Sequence, residues 1–290
     1  MTELTPAQIT TDELLRTVNT QMALHSFDDS NTTVLQRIIE EGLGDTRGVI
    51  RLRAAETLGE IGTPATPQLI VALLNNDNVT IRRAAAKSIA LIEDPTAVPA
   101  LLHAFLHDPD TVVHGSAVGA LARIGEVAVP ALLDIIADES NPETTKGHAA
   151  WALSFVGAEA AEHLYPALDH QSIDVRCAVI SAISHVAQEK GDLRACEILV
   201  KALQDSAEIL RCEAAAALGQ VNYAESIEPL IRSTQDPDVD VRKAAVSSLG
   251  KVGNTATIPH LEALLQDPLP VIQVLAKVAL QQLRNKLSDE

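Results

Sequence analysis

The run Asp236-Pro-Asp-Val-Asp-Val-Arg-Lys-Ala-Ala-Val-Ser-Ser-Leu-Gly250 begins with a turn and continues as a helix. Asp-Pro-Asp supplies a residue suited to reversing the chain and a carboxylate suited to capping the first amide groups that follow. Val241, Ala245 and Leu249 then return every four residues, which places them on one face at 100° per residue. Gly250 stands where a left-handed cap needs no Cβ.

The same pattern recurs along the chain. Taking Arg242 as position zero, the equivalent residues are Arg51, Arg82, His114, Lys146, Arg176, Arg211 and Gln273, spaced 30 to 35 residues apart. Seven residues after each comes Leu or Ile, and three after each comes Ala54, Ala85, Ala117, Ala149, Val179, Ala214, Ala245 or Ala276. Upstream lies a second apolar segment, as in Pro99 to Leu106, Pro130 to Ile136 and Pro259 to Leu265, where Pro fits the first helical turn. Each unit therefore reads as helix A, tight turn, helix B. Gly62, Gly125, Gly157, Gly219, Gly250 and Gly253 mark the B-helix ends.

Two helices of this length cannot bury their own apolar faces, so the units must stack on one another. The expected fold is all-α, a right-handed α-solenoid (superhelix) of about eight short two-helix repeats. Residues 1–30 are expected to be an N-terminal capping helix, over Thr11 to His25, and a linker. Residues 31–290 form the solenoid as a single domain, its far end closed by the polar stretch Gln281 to Glu290.

Composition agrees with close-packed helices: 47% of the 290 residues are hydrophobic but only 2% are aromatic. A formal net charge of −17 argues against nucleic acid. Cys177, Cys196 and Cys212 form neither a CxxC pair nor a disulfide framework. No apolar run has the length of a membrane span, and residues 1–30 lack a signal-like apolar core. The expectation is a cytoplasmic protein without membrane insertion.

Three segments carry a resemblance: Lys146-Gly-His-Ala-Ala-Trp-Ala-Leu-Ser-Phe-Val-Gly157, Gly115-Ser-Ala-Val-Gly-Ala-Leu-Ala-Arg-Ile-Gly125 and Asp174-Val-Arg-Cys-Ala-Val179. They resemble the HEAT-like repeats of the phycobilisome lyase family, in particular the alpha (E-type) subunits of heterodimeric phycocyanobilin lyases, over about residues 40 to 285. The resemblance implies a lyase subunit that attaches phycocyanobilin by a thioether bond to a cysteine of the phycocyanin alpha subunit. It also implies an F-type partner subunit, with the bilin as substrate and no permanent cofactor. The alternative is a non-catalytic HEAT-repeat scaffold or chaperone binding phycobiliproteins, or a chromophore-detaching relative.

Helical phase locates a candidate site. Positions +2, +5 and +9 of each B helix lie on a flank away from the core face, and in HEAT-like stacks the B helices line the concave side. The fourth unit places His148, Trp151 and Phe155 there, with Arg123 and His185 at the +9 height on either side and Lys87 at +5 two units before. An apolar floor flanked by cations suits the conjugated face and two propionates of a linear tetrapyrrole. His148 and His185 are the candidates to assist proton movement. The competing reading is that Trp151 and Phe155 fill a gap between B helices.

Other features read as structural. The Arg series at 51, 82, 176, 211 and 242 is expected to form a ladder, each Arg reaching an inter-helix Asp such as Asp174 or Asp240, or a carbonyl of the next unit, with His114 and Gln273 interrupting it. Cys177 and Cys212, both at +1, read as inert thiols; no metal site is expected. No His precedes a Glu, which excludes the His-Glu pattern of helical-repeat di-iron hydroxylases. Gln188 to Asp192 is an inserted loop, open to reading as a tolerated insertion or a partner contact.

Overall fold

The computed structural model describes residues 4–156, 160–190, 192–221 and 223–289. Among them there is no strand, and every expected helix pair is present. A leading helix, α1 (Pro6–Ala23), precedes eight pairs. The A helices are α2 (Thr32–Arg37), α4 (Thr66–Asn75), α6 (Val98–His107), α8 (Val129–Ala137), α10 (Ala161–Leu164), α12 (Leu193–Ala202), α14 (Ile227–Ser233) and α16 (Ile258–Ala263). The B helices are α3 (Gly48–Ile61), α5 (Val79–Ile92), α7 (Thr111–Ile124), α9 (Glu143–Ser154), α11 (Ile173–Lys190), α13 (Glu208–Leu218), α15 (Val239–Val252) and α17 (Pro270–Asp289).

The local signals act as their chemistry requires. Pro99 and Pro259 sit in the first turns of α6 and α16. Asp110 caps α7 by accepting the amide protons of Val112 and Val113, and Asp238 caps α15 in the same way. Only two of the proposed glycine caps adopt a positive φ, Gly62 at 81° and Gly125 at 82°. Gly219 and Gly253 end their helices at negative φ, Gly250 lies inside α15, and Gly157 is outside the described residues. At the end of α5, Glu93 takes the left-handed position at φ 58°.

Contacts divide the chain into two compact units, Met1–Ile135 with Asn141–Ala152, and Ile136–Ser140 with Leu153–Glu290. In the first, α3 packs on α5 and α5 on α7; in the second, α11, α13, α15 and α17 follow in the same manner. The residues at +3 are the centre of this packing, and all eight have 0% exposure. Close approach needs small residues elsewhere too: a Cβ on Gly250 would lie 2.7 Å from the Cα of Ala279. Position +4 is buried as Ala55, Ala86, Val118, Ile180, Ala215 and Val246, while α17 has the exposed Lys277 there.

The leading helix starts earlier than its apolar pattern suggests. Thr5 and Gln8 form a reciprocal capping box around Pro6, five residues ahead of Thr11. Leu14, Leu15 and Val18 are buried, and α1 is tied down by an Arg47–Asp12 ion pair at 2.8 Å and a Thr57–Asn19 hydrogen bond at 2.9 Å.

Position zero makes the expected ladder in part, at Arg82 and Arg211, and adds a bond within its own unit. Arg51, Arg82, His114, Arg176, Arg211, Arg242 and Gln273 each hydrogen-bond to the carbonyl six residues earlier, on Asp45, Asn76, Asp108, His170, Asp205, Asp236 and Asp267. These carbonyls belong to the same unit's A–B turn, not to the next unit, and helix ends leave such carbonyls without a backbone partner. His114 and Gln273 therefore preserve the contact. Ion pairs to the next turn are the variable part: Arg82 grips Asp108 and Arg211 grips Asp236, each through two hydrogen bonds. Asp240, one of the expected carboxylates, instead pairs with Lys243 on its own helix.

Two measurements follow from this packing. Ala245→Leu should cost about 1–3 kcal/mol by overpacking, whereas Gly115→Ala should stabilise by roughly 0.5–1 kcal/mol, because a Cβ on the helical Gly115 meets nothing within 4 Å. Urea denaturation of both variants checks the pair. The third concerns acid. Arg211 holds the Asp236 carboxyl below the usual range; at Asp108 burial pushes upward, but the bonds from Arg82 and the Asp110 amide outweigh it. A lowered folded-state pKa gives stability that is present above the unfolded value, near pH 4, and is lost as the pH falls through the folded one. The stability gap between the wild type and Asp236→Asn should be open at neutral pH and close below about pH 4, followed by urea midpoints across pH.

Candidate functional site

The fourth B helix is built differently from the others. α9 begins at Glu143 and ends at Ser154, and Phe155 follows in a turn. The expectation that Phe155 continues the helix is therefore corrected: its +9 position lies just past the last helical residue. The core face behaves as in other units, with Ala149, Ala152 and Leu153 buried. On the remaining surface, His148 is exposed, the lone Trp151 is 48% exposed and Phe155 is 58% exposed. Both rings therefore keep about half of their surface in solvent.

Lys87, Arg123, His148 and Trp151 fall in the first compact unit, and Phe155 and His185 in the second. In the first unit, the His148 ring lies against Phe105, with centroids 6.4 Å apart. Phe105 is a fully buried residue of α6, so the imidazole rests on the core while remaining accessible. Lys87 is exposed and has no ion pair among the described residues. Arg123, read as a waiting cation, is already engaged with the carboxylate of Glu93. Both partners are well exposed, and an ion pair of that kind contributes only ~0–1 kcal/mol, so an incoming carboxylate can exchange for Glu93.

In the second unit, Phe155 and half-buried His185 are in ring contact, with centroids 6.0 Å apart and planes inclined at 36°. Sequence phase put these two residues at the same height in consecutive units, and the structure brings them together. Phase did not reveal the Phe105 support beneath His148 or the Glu93 carboxylate. Phe105 shows in sequence only as an aromatic at an apolar A-helix position, and Glu93 only as an acid after an α5 that lacks a terminal glycine.

The thiols offer poor nucleophiles. Burial, helped by Glu213 and Asp174, pushes Cys177 up to about 11, and burial likewise raises Cys196 and Cys212. A thiol must ionise to attack, so these side chains remain protonated at neutral pH. Among the described residues, no three His, Cys, Asp or Glu side chains are grouped as a metal ion would require. No helix in the described residues is long and apolar enough to cross a membrane. What the surface does offer is aromatic contact, imidazole and an uncommitted ammonium. Because Trp151 is half-exposed, Trp151→Ala should cost less than about 2 kcal/mol, against ~3–5 kcal/mol for Phe105→Ala, in parallel denaturation curves.

Comparison with known proteins agrees with this architecture. HEAT repeats match residues 35–122, 66–154, 106–184 and 196–284. The bilin biosynthesis protein MpeU of Synechococcus sp. is 33% identical over 208 residues, covering 72% of this chain and 70% of that protein. The phycocyanobilin lyase subunit alpha of Picosynechococcus sp. is 26% identical over 175 residues, covering 60% of this chain and 56% of that one. Among solved structures, a Kap121p mutant superposes with a TM-score of 0.59 over 97% of this chain and 36% of its own, at 13% identity, a likeness of fold alone. By its repeats and its kinship with MpeU and the lyase alpha subunit, the chain belongs to the HEAT-repeat family of E-type bilin lyase subunits.

Proposed function

We propose that this chain is the alpha subunit of a lyase that, with an F-type partner subunit, attaches phycocyanobilin to a cysteine of the phycocyanin alpha subunit. The observation that carries the reading is the exposure of Trp151, the chain's lone indole, on a B helix whose core face is otherwise filled by Ala and Leu. A half-exposed indole forgoes several kcal/mol of burial, roughly 2–3 by area, which a planar apolar ligand recovers.

The reaction needs little from the lyase beyond placement. A thiol adds across a carbon–carbon double bond of the bilin: the sulfur–carbon bond forms, the double bond is consumed, and the thiol's proton ends on carbon. No oxidant or reductant is involved. The acceptor supplies the sulfur, in keeping with the protonated state of this chain's own thiols. Holding the pigment and the acceptor cysteine together lowers the barrier by removing the entropy of their encounter. In this reading Trp151 contacts the conjugated face, and Lys87, or Arg123 once released from Glu93, pairs with a propionate. His148, on the same unit, carries the proton.

The decisive assay mixes the purified chain and its F-type partner with phycocyanobilin and apo-α-phycocyanin, and scores a covalent, acid-stable pigment. The adduct is expected only when both subunits are present. Trp151→Ala should slow attachment at least tenfold without shifting the thermal midpoint by more than about 4 °C. Failure to form the adduct, or an undiminished rate with Trp151→Ala, would refute the assignment.

A further inference from the structure

We infer that the second unit contains a binding site for a carboxylate carried on a short apolar stem, at Arg176. The assignment does not rest on the bilin reading above. A concavity of about 390 Å³ opens between α11 and α12, with Ile180, Ile198 and Leu210 in its wall and Arg176 and Lys201 at its edge. Ile180 and Leu210 are buried, so the floor is apolar.

Among the described residues, two other position-zero arginines show the contact that Arg176, like Arg51 and Arg242, lacks. In Arg82, Nε and Nη2 donate to the two oxygens of Asp108 at 2.8 and 3.0 Å; in Arg211 the same atoms hold Asp236 at 2.8 and 2.9 Å. Arg176 uses Nη1 on its turn carbonyls, at 2.8 Å from His170 and 3.2 Å from Gln171, as the other position-zero arginines do. Its remaining edge is not filled. The corresponding carboxylate, Asp205, lies 4.0 Å from Nη2, beyond hydrogen-bond range, while its Oδ1 accepts the Ala207 amide at 2.9 Å. The Arg176 side chain is only 17% exposed, so the unfilled donors have also lost most of their water. Lys201, on the same concavity, has no ion pair among the described residues.

A planar carboxylate fits the Nε and Nη2 edge by the two-bond geometry that Asp108 and Asp236 already show, and an apolar stem fits the Ile and Leu wall. Asp169 and Asp205 also line the concavity and balance the two cations. They explain why the site suits one carboxylate and not a phosphate of higher charge. Asp205 is the competing group, and weakening its charge should favour the ligand.

The test is nitrogen–proton NMR of the arginine Nε–H groups in the full chain, titrated with sodium hexanoate. The Arg176 signal should move saturably and the Arg82 signal, whose edge is already filled, should not. Acetate should bind about tenfold more weakly for want of a stem, and hexan-1-ol should leave the signal in place. Asp205→Asn, which keeps the turn bond, should tighten hexanoate several-fold, and Lys201→Ala should weaken it. An Arg176 signal that does not saturate, that Arg82 follows at the same midpoint, or that hexan-1-ol moves equally would overturn the proposal. Two sources offer this chemistry, a pigment's propionate arm and an acidic group of a partner protein. Displacement of hexanoate by phycocyanobilin but not its dimethyl ester identifies the first; displacement by apo-α-phycocyanin identifies the second.

Discussion

In seven of the eight helix pairs a carbonyl of the turn after the first helix takes its hydrogen bond from a side chain six residues on. The donor stands six residues downstream and must carry an N–H at the right reach. Arg serves at 51, 82, 176, 211 and 242, and His114 and Gln273 make the same bond with different chemistry. With the turn fixed, the B helix leaves at a set angle, and the small residue three places on can enter the core at zero exposure. The bonds lie at part-buried or exposed positions, where each contributes about 0.5–1.5 kcal/mol, and they recur along the stack.

Since position zero, +3 and +7 carry the architecture, the flank at +2, +5 and +9 is free to differ. Most units put charged or small residues there. The fourth departs, with an imidazole seated on a core phenyl ring and a half-exposed indole beside it in sequence, followed by a phenyl ring in contact with His185. The chain's own cysteines are raised away from reactivity by the packing that holds them.

Much of this was legible in the sequence because it is periodic. Ala at +3 and Leu or Ile at +7 recur often enough to fix the phase of every B helix, and phase placed Trp151 on the flank away from the core while leaving open whether it fills a gap between helices. Features that depend on partners some thirty residues away were not legible. Arg123 meets Glu93 one unit earlier, and for Arg82 and Arg211 the sequence implied an inter-helix Asp without singling out Asp108 and Asp236. Nor does periodicity locate ends: α1 begins at a capping box ahead of its apolar pattern, and α9 stops at Ser154, two residues after the last core alanine. Glu93 in the left-handed region was hidden because the position is usually signalled by glycine.

The central claim is that the lone indole touches the pigment. Because Trp151 is the chain's sole tryptophan, its fluorescence reports on that contact without labelling. Titrating phycocyanobilin into the chain and its partner should quench the emission saturably and, in the bound state, shield the residual emission from acrylamide. Pigment that binds by its own absorbance change while Trp151 stays as open to acrylamide as before would contradict the account.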